Sequence, residues 1–109
     1  MDKLLLLLKQ INLPYACDSF AEGEAPETPY MIYLTPGINA LYADGINFFS
    51  FLDITLEVYL DKKTPAIEKQ VEKVLKDSRI AYEKEENFID TEKLYEVVYT
   101  FELEDDNNE

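Results

Sequence analysis

The sequence predicts an α+β domain, a mainly antiparallel four-stranded sheet with two helices in the order α-β-β-α-β-β. Three patterns carry this reading. Leu4, Leu7, Leu8 and Ile11 recur at helical spacing near the start of the chain. Ile67, Val71, Val74 and Leu75 do the same after Thr64-Pro65. Between them, from Ile46 to Leu60, side chains alternate with period two, as in a strand with one core face and one wet face. With 109 residues, 47% of them hydrophobic, the chain fits a single domain over 1–109, and no internal repeat divides it.

Taken in order, Asp2 is placed to cap a helix that runs to about Leu13, ahead of Pro14. Leu5 and Leu6 fall off its apolar stripe, so this helix is either buried on two sides or shared with another subunit. Pro14, Gly23, Pro26 and Pro29, with Glu22, Glu24 and Glu27 among them, mark 14–29 as a loop. A short strand, Tyr30 to Leu34, is expected to stop at Pro36-Gly37, which leaves 35–45 as a second loop. Asp44-Gly45 then turns the chain into the long strand. There Phe49 and Phe51 sit on the otherwise polar face, in need of a covering helix or a neighbouring chain.

Thr64 and Pro65 start the second helix, with Lys69, Lys73 and Lys76 opposite its apolar stripe and Glu68 and Glu72 on its flank. Such a lysine row serves as a solvated face or meets an acidic surface on another copy. Two strands close the domain, one from about Ala81 to Ile89 and one through Tyr95, Val97, Tyr99, Phe101 and Leu103. Asp90-Thr-Glu-Lys93 turns the chain between them. The tail, 104–109, is acidic, has no apolar anchor, and is expected to be disordered.

The net charge is −13. Attachment of the whole domain to nucleic acid or anionic lipid would need a basic footprint, which this composition lacks. Yet the charge is uneven. Residues 61–79 carry six basic and four acidic groups, a basic island in an acidic molecule. Leu4 to Leu8, flanked by Lys3 and Lys9, is too short for a signal core of about seven residues or more or for a membrane span of about 20. A cytosolic place of synthesis is therefore expected.

No recognisable catalytic apparatus emerges. With no His and one Cys, Cys17, the Ser-His and Cys-His arrangements, a Cys/His zinc site and an internal disulfide are all excluded. Cys17 beside Asp18 reads as a buried or half-buried spectator. Gly23, Gly37 and Gly45 stand apart in turns and build no phosphate cradle. Asp53 or Glu57 with Glu96 or Glu102 are the candidate paired carboxylates, but nothing places two of them across a cleft. Glu83, Glu85, Glu86 and Glu104 to Asp106 lack the ligand spacing of a calcium loop. No enzyme and no cofactor are expected.

Several stretches resemble a known family: LLLLLKQINLPY (Leu4 to Tyr15), EGEAPETPYMIYL (Glu22 to Leu34), Ala43-Asp-Gly45, ITLEVYLDKKTPAIEKQVEKVL (Ile54 to Leu75) and EKLYEVVYTFEL (Glu92 to Leu103). Together they resemble the small neck or tail-completion proteins of long-tailed phages and prophages of Gram-positive bacteria. These are the tail terminators and tail-to-head joining proteins, to which the lambda tail terminator is structurally similar. The resemblance implies a sheet flanked by helices and a hexameric ring, with the isolated chain free to be a monomer. It further implies contacts with the tail tube protein and the head connector protein, and a place in the virion neck after assembly in the host cytoplasm. It implies no cofactor. DNA would pass through the ring without specific binding, which an acidic lumen suits because carboxylate and phosphate repel.

No motif of that family transfers residue by residue. From the sequence pattern itself, the candidate interface residues are Leu5, Leu6, Phe49, Phe51, Lys69, Lys73 and Lys76, two unlike patches that a head-to-tail ring requires. The rival expectation is a small acidic inhibitor that mimics DNA and blocks a nucleic-acid enzyme.

Overall fold

The computed structural model describes the backbone of residues 2–21, 23–43 and 46–105, and the side chains of 3–21, 23–35 and 52–103. The elements run α1 (Asp2–Ile11), β1 (Tyr15–Cys17), β2 (Tyr30–Ala43), β3 (Ile46–Leu60), α2 (Pro65–Asp77), β4 (Tyr82–Ile89) and β5 (Leu94–Asp105). They form one five-stranded mixed sheet in the order β1-β2-β3-β5-β4. The expected mainly antiparallel four-stranded sheet in the order α-β-β-α-β-β, with the likeness to the lambda tail terminator fold that the resemblance implied, is thereby corrected.

The added strand is β1, which pairs parallel to β2 with Tyr15 opposite Met31 and Cys17 opposite Tyr33. Three residues are too few to show alternation, and their ladder is completed by neighbours: Met31 N–H donates to the Pro14 carbonyl at 2.8 Å and Asp18 N–H to the Tyr33 carbonyl at 3.0 Å. A parallel return needs a crossover of about a dozen residues; residues 18–29 supply it. Cys17 is exposed at the end of this short edge strand, not buried as expected.

The second departure is β2, which passes through Pro36 and runs to Ala43. Between the pairs Leu34–Thr55 and Gly37–Asp53, two residues of β2 face one of β3. This bulge lets a proline into a strand, because a bulged residue has no ladder bond to donate. Beyond the pair Ser50–Asp105, the β2–β3 hairpin continues with no third strand among the described residues. β5 itself extends to Asp105, so the first part of the expected tail is strand, and 106–109 lie outside the described residues.

Both helices cover one face of the sheet. Leu4, Leu7, Leu8 and Ile11 of α1 and Val71 and Leu75 of α2 are buried against Met31 and Tyr33 of β2, alternate residues Leu52 to Leu60 of β3, and Val97 to Leu103 of β5. Each fully buried aliphatic side chain contributes roughly 1.5–3 kcal/mol by leaving water. The helix ends are tied down as well. Asn12 turns left-handed (φ 67°) to stop α1, and the Gln70 amide of α2 donates to the Ile11 carbonyl. At the end of α2, Arg79 (φ 60°) sits where glycine is usual. Its N–H reaches the Lys76 carbonyl and Ile80 N–H the Leu75 carbonyl, both at 2.9 Å, which closes the last turn.

Candidate functional site

Register and alternation sort the polar residues of the sheet onto two faces. On the helix-covered face, opposite charges meet at the seam between α2 and β4. Glu68 is 5% exposed, because it lies one turn before the buried Val71 and two before Leu75 on the side of α2 that faces the sheet. Lys84 of β4, paired with Tyr99, reaches it at 2.7 Å and Glu72 at 2.8 Å. Tyr99 Oη donates to Glu72 at 2.8 Å. Lys63, ahead of the helix, lies 3.1 Å from Glu68 and also pairs with Glu86.

The electrostatics follow from this geometry. Burial disfavours the charged form of Glu68, but hydrogen bonds from Lys84 and Lys63 outweigh it and bring the pKa below the ordinary carboxylate value. Glu72 is lowered in the same way, against its burial, by Lys84 and Tyr99. Burial opposes the charge of Lys84, yet its two glutamates raise its pKa. This is a stitched seam that ties α2 to β4.

The sequence placed Glu68 and Glu72 on the flank of the helix, and the structure shows them at its inner edge. Two glutamates four residues apart repel on a bare helix, which is the one sequence signal that a cation must come from elsewhere. That the cation is Lys84 depends on the pairing of β4.

On the opposite face no helix of the described residues lies over the strands. The rows across it are Tyr30–Tyr59–Glu96–Asn87, Ile32–Glu57–Val98–Glu85, Leu34–Thr55–Thr100–Glu83 and Gly37–Asp53–Glu102. Six carboxylates share this face, and no described strand residue on it is Lys or Arg. One end is covered by aromatics: Phe20 packs edge-on to Tyr30 at 5.4 Å, and Tyr30 stacks on Tyr59 at 5.2 Å. The Tyr59 hydroxyl lies 2.9 Å from Glu57 and 2.8 Å from Glu96 and donates its one proton between them. Burial first, and these two carboxylates next, raise its pKa.

The candidate carboxylates are thus brought onto one surface, with Asp53 directly opposite Glu102. These two are adjacent partners on neighbouring strands, on the same wall and not across a gap from each other. Where β4 begins at Tyr82, short of the end of β5, an open groove of about 700 Å³ is lined by Arg79, Tyr82, Glu83, Asp53 and Glu102. Among the described residues, no group of three or more His, Cys, Asp or Glu is arranged to hold a metal ion, and no helix is long and apolar enough to cross a membrane.

The candidate interface residues divide accordingly. Leu5 is half-buried against the core, whereas Leu6 is 59% exposed. Lys69, Lys73 and Lys76 are exposed on the side of α2 that faces away from the sheet, Lys73 in an ion pair with Asp77 at 2.6 Å. Phe49 and Phe51 pair in register with Leu41 and Asn39, and their side chains lie outside the described residues. The lysines and the acidic sheet face are therefore on opposite sides of the molecule. No protein-family model and no curated protein matches this chain.

Proposed function

We propose that this chain is a structural protein of phage or prophage morphogenesis that forms a ring at the head-proximal end of the tail, as a tail terminator or a tail-to-head joining protein. The setting comes from the resemblance carried by stretches such as Leu4 to Tyr15 and Ile54 to Leu75. The assembly part is carried by one observation: a basic helix row and an acidic sheet face stand on opposite sides of one small domain. Two different complementary patches per subunit are what a head-to-tail ring uses. In this reading the chain acts through surfaces and performs no chemistry of its own. Its partners are other copies, the tail tube protein and the head connector protein, and DNA threads the ring without specific binding.

The six carboxylates of the open face also favour a second reading, a DNA-mimic inhibitor of a nucleic-acid enzyme. Light scattering after size exclusion, with negative-stain imaging of the protein alone and mixed with tails, separates the two. Rings, free or on tail ends, support the neck role. A chain that never joins a tail and binds a nuclease or polymerase tightly as a monomer overturns it. Capsid, connector and major tail genes beside its own would support it independently.

A further inference from the structure

We infer that the open sheet face is the seat for α2 of the next copy, with Lys69, Lys73 and Lys76 laid over Glu57, Glu83, Glu85 and Glu102. The inference rests on the ring reading only in taking the occupant to be a second copy of this chain. Three observations lead to it.

The charges complement one another. Among the described residues the strands bring six carboxylates and no Lys or Arg to this face, Arg79 stands at its edge beside Asp53, Glu83 and Glu102, and the exposed side of α2 offers three lysines within eight residues. The dimensions agree as well. A 13-residue helix is about 20 Å long at ~1.5 Å per residue. The stretch of β3 from Asp53 to Tyr59 that spans the acidic rows covers about 20 Å at ~3.3 Å per residue.

The placement then decides the symmetry. Val71 and Leu75 point into the core, so the lysines on the reverse of α2 point away from the sheet whose far face is acidic. No copy can use both patches on the same partner, and the contact must propagate from one copy to the next. The middle of the seat is neutral, with Thr55, Val98 and Thr100 only half-exposed, so a helix can approach it without burying an unpaired cation.

Charge reversal tests the arrangement. Variant one carries Lys69→Glu, Lys73→Glu and Lys76→Glu; variant two carries Glu57→Lys, Glu83→Lys, Glu85→Lys and Glu102→Lys. In either one alone, like charges meet at every contact, and light scattering at low salt is expected to show monomers where the wild type associates. Mixed in equal amounts, each variant meets its opposite at every contact, and association is expected to return to wild-type size. Circular dichroism checks that each is folded, and the milder Gln versions at the same sites, expected to weaken association about tenfold, replace any that is not.

Variants that associate as the wild type does, or a mixture that stays monomeric, overturn the inference and leave the ring reading standing on another interface. A wild type that is monomeric at high concentration and low salt also overturns it. The ring reading is then judged separately, by whether copies appear on tail ends.

Discussion

The two faces of the sheet use their carboxylates differently. Under the helices, Glu68, Glu72 and Glu86 each meet a lysine, and Glu68 is among the most buried residues of the chain. Across the sheet, Glu83 and Glu85 are exposed and Glu57 and Glu96 half-buried on a face that no described helix covers, where one tyrosine hydroxyl bridges the last two. The first arrangement holds α2 to β4. The second sets like charges side by side, and in the proposed assembly it is the face that meets the next copy.

The contrast is sharpest in what each face loses on mutation. Lys84→Met should remove about 2 kcal/mol of stability in urea unfolding, because it leaves Glu68 buried with only Lys63 nearby. Fully buried pairs lose about 3–5 kcal/mol when one partner goes, and Lys84 is 30% exposed, which softens the effect. Tyr99→Phe should cost about 1.5 kcal/mol, the low end for a hydrogen bond to a charged group, since Glu72 keeps Lys84.

The seam also sets a pH dependence. Glu68 and Glu72 have folded pKa values below their unfolded ones, so their contribution is present above about pH 4.3, the unfolded carboxylate value, and is lost as pH falls through the folded values. Lys84 is raised, so its contribution is present below its unfolded value of about 10.4 and is lost as pH climbs through the folded one. The Glu68→Gln, Glu72→Gln double variant should therefore flatten the acid limb of stability against pH relative to the wild type.

At the boundary between the faces, Arg79 stands in a left-handed conformation at the end of α2 and lines the groove beside the acidic strands. Arg79→Gly should raise stability by roughly 0.5–1 kcal/mol, since only glycine adopts that geometry without strain. A loss instead would show that its cation matters more to the acidic face than its backbone strain. The smallest effect is expected on the open face. Glu85→Gln should change monomer stability by no more than about 0.5 kcal/mol, as surface substitutions usually do. A loss of 2 kcal/mol would place Glu85 in a structural role and erase the contrast.

Much of this molecule was readable before folding. The stripe Leu4, Leu7, Leu8, Ile11 lies wholly in the core, and the even residues of β3 from Leu52 to Leu60 are buried in the same way, because both patterns match the period of their element. The bulge at Pro36 was not readable, since proline punctuates an isolated strand but is tolerated where a neighbour's register shifts. β1 was missed because three residues acquire strand geometry only when β2 offers an edge. Helical spacing marks the lysine row as an exposed face, whereas Asp53, Glu57, Glu96 and Glu102 show no common surface until β3 and β5 pair.

Local periodicity thus determined which residues are buried and where the helices and long strands lie, because amphipathic spacing is a property of the chain itself. The composition likewise set the acidity and the basic island. Tertiary structure alone decided that Glu68 would meet Lys84, that six carboxylates from three strands would share one surface, and that this surface would back onto the lysine row. Those relations depend on strand order and register, which bring together residues far apart in sequence and leave no trace in any short window of it.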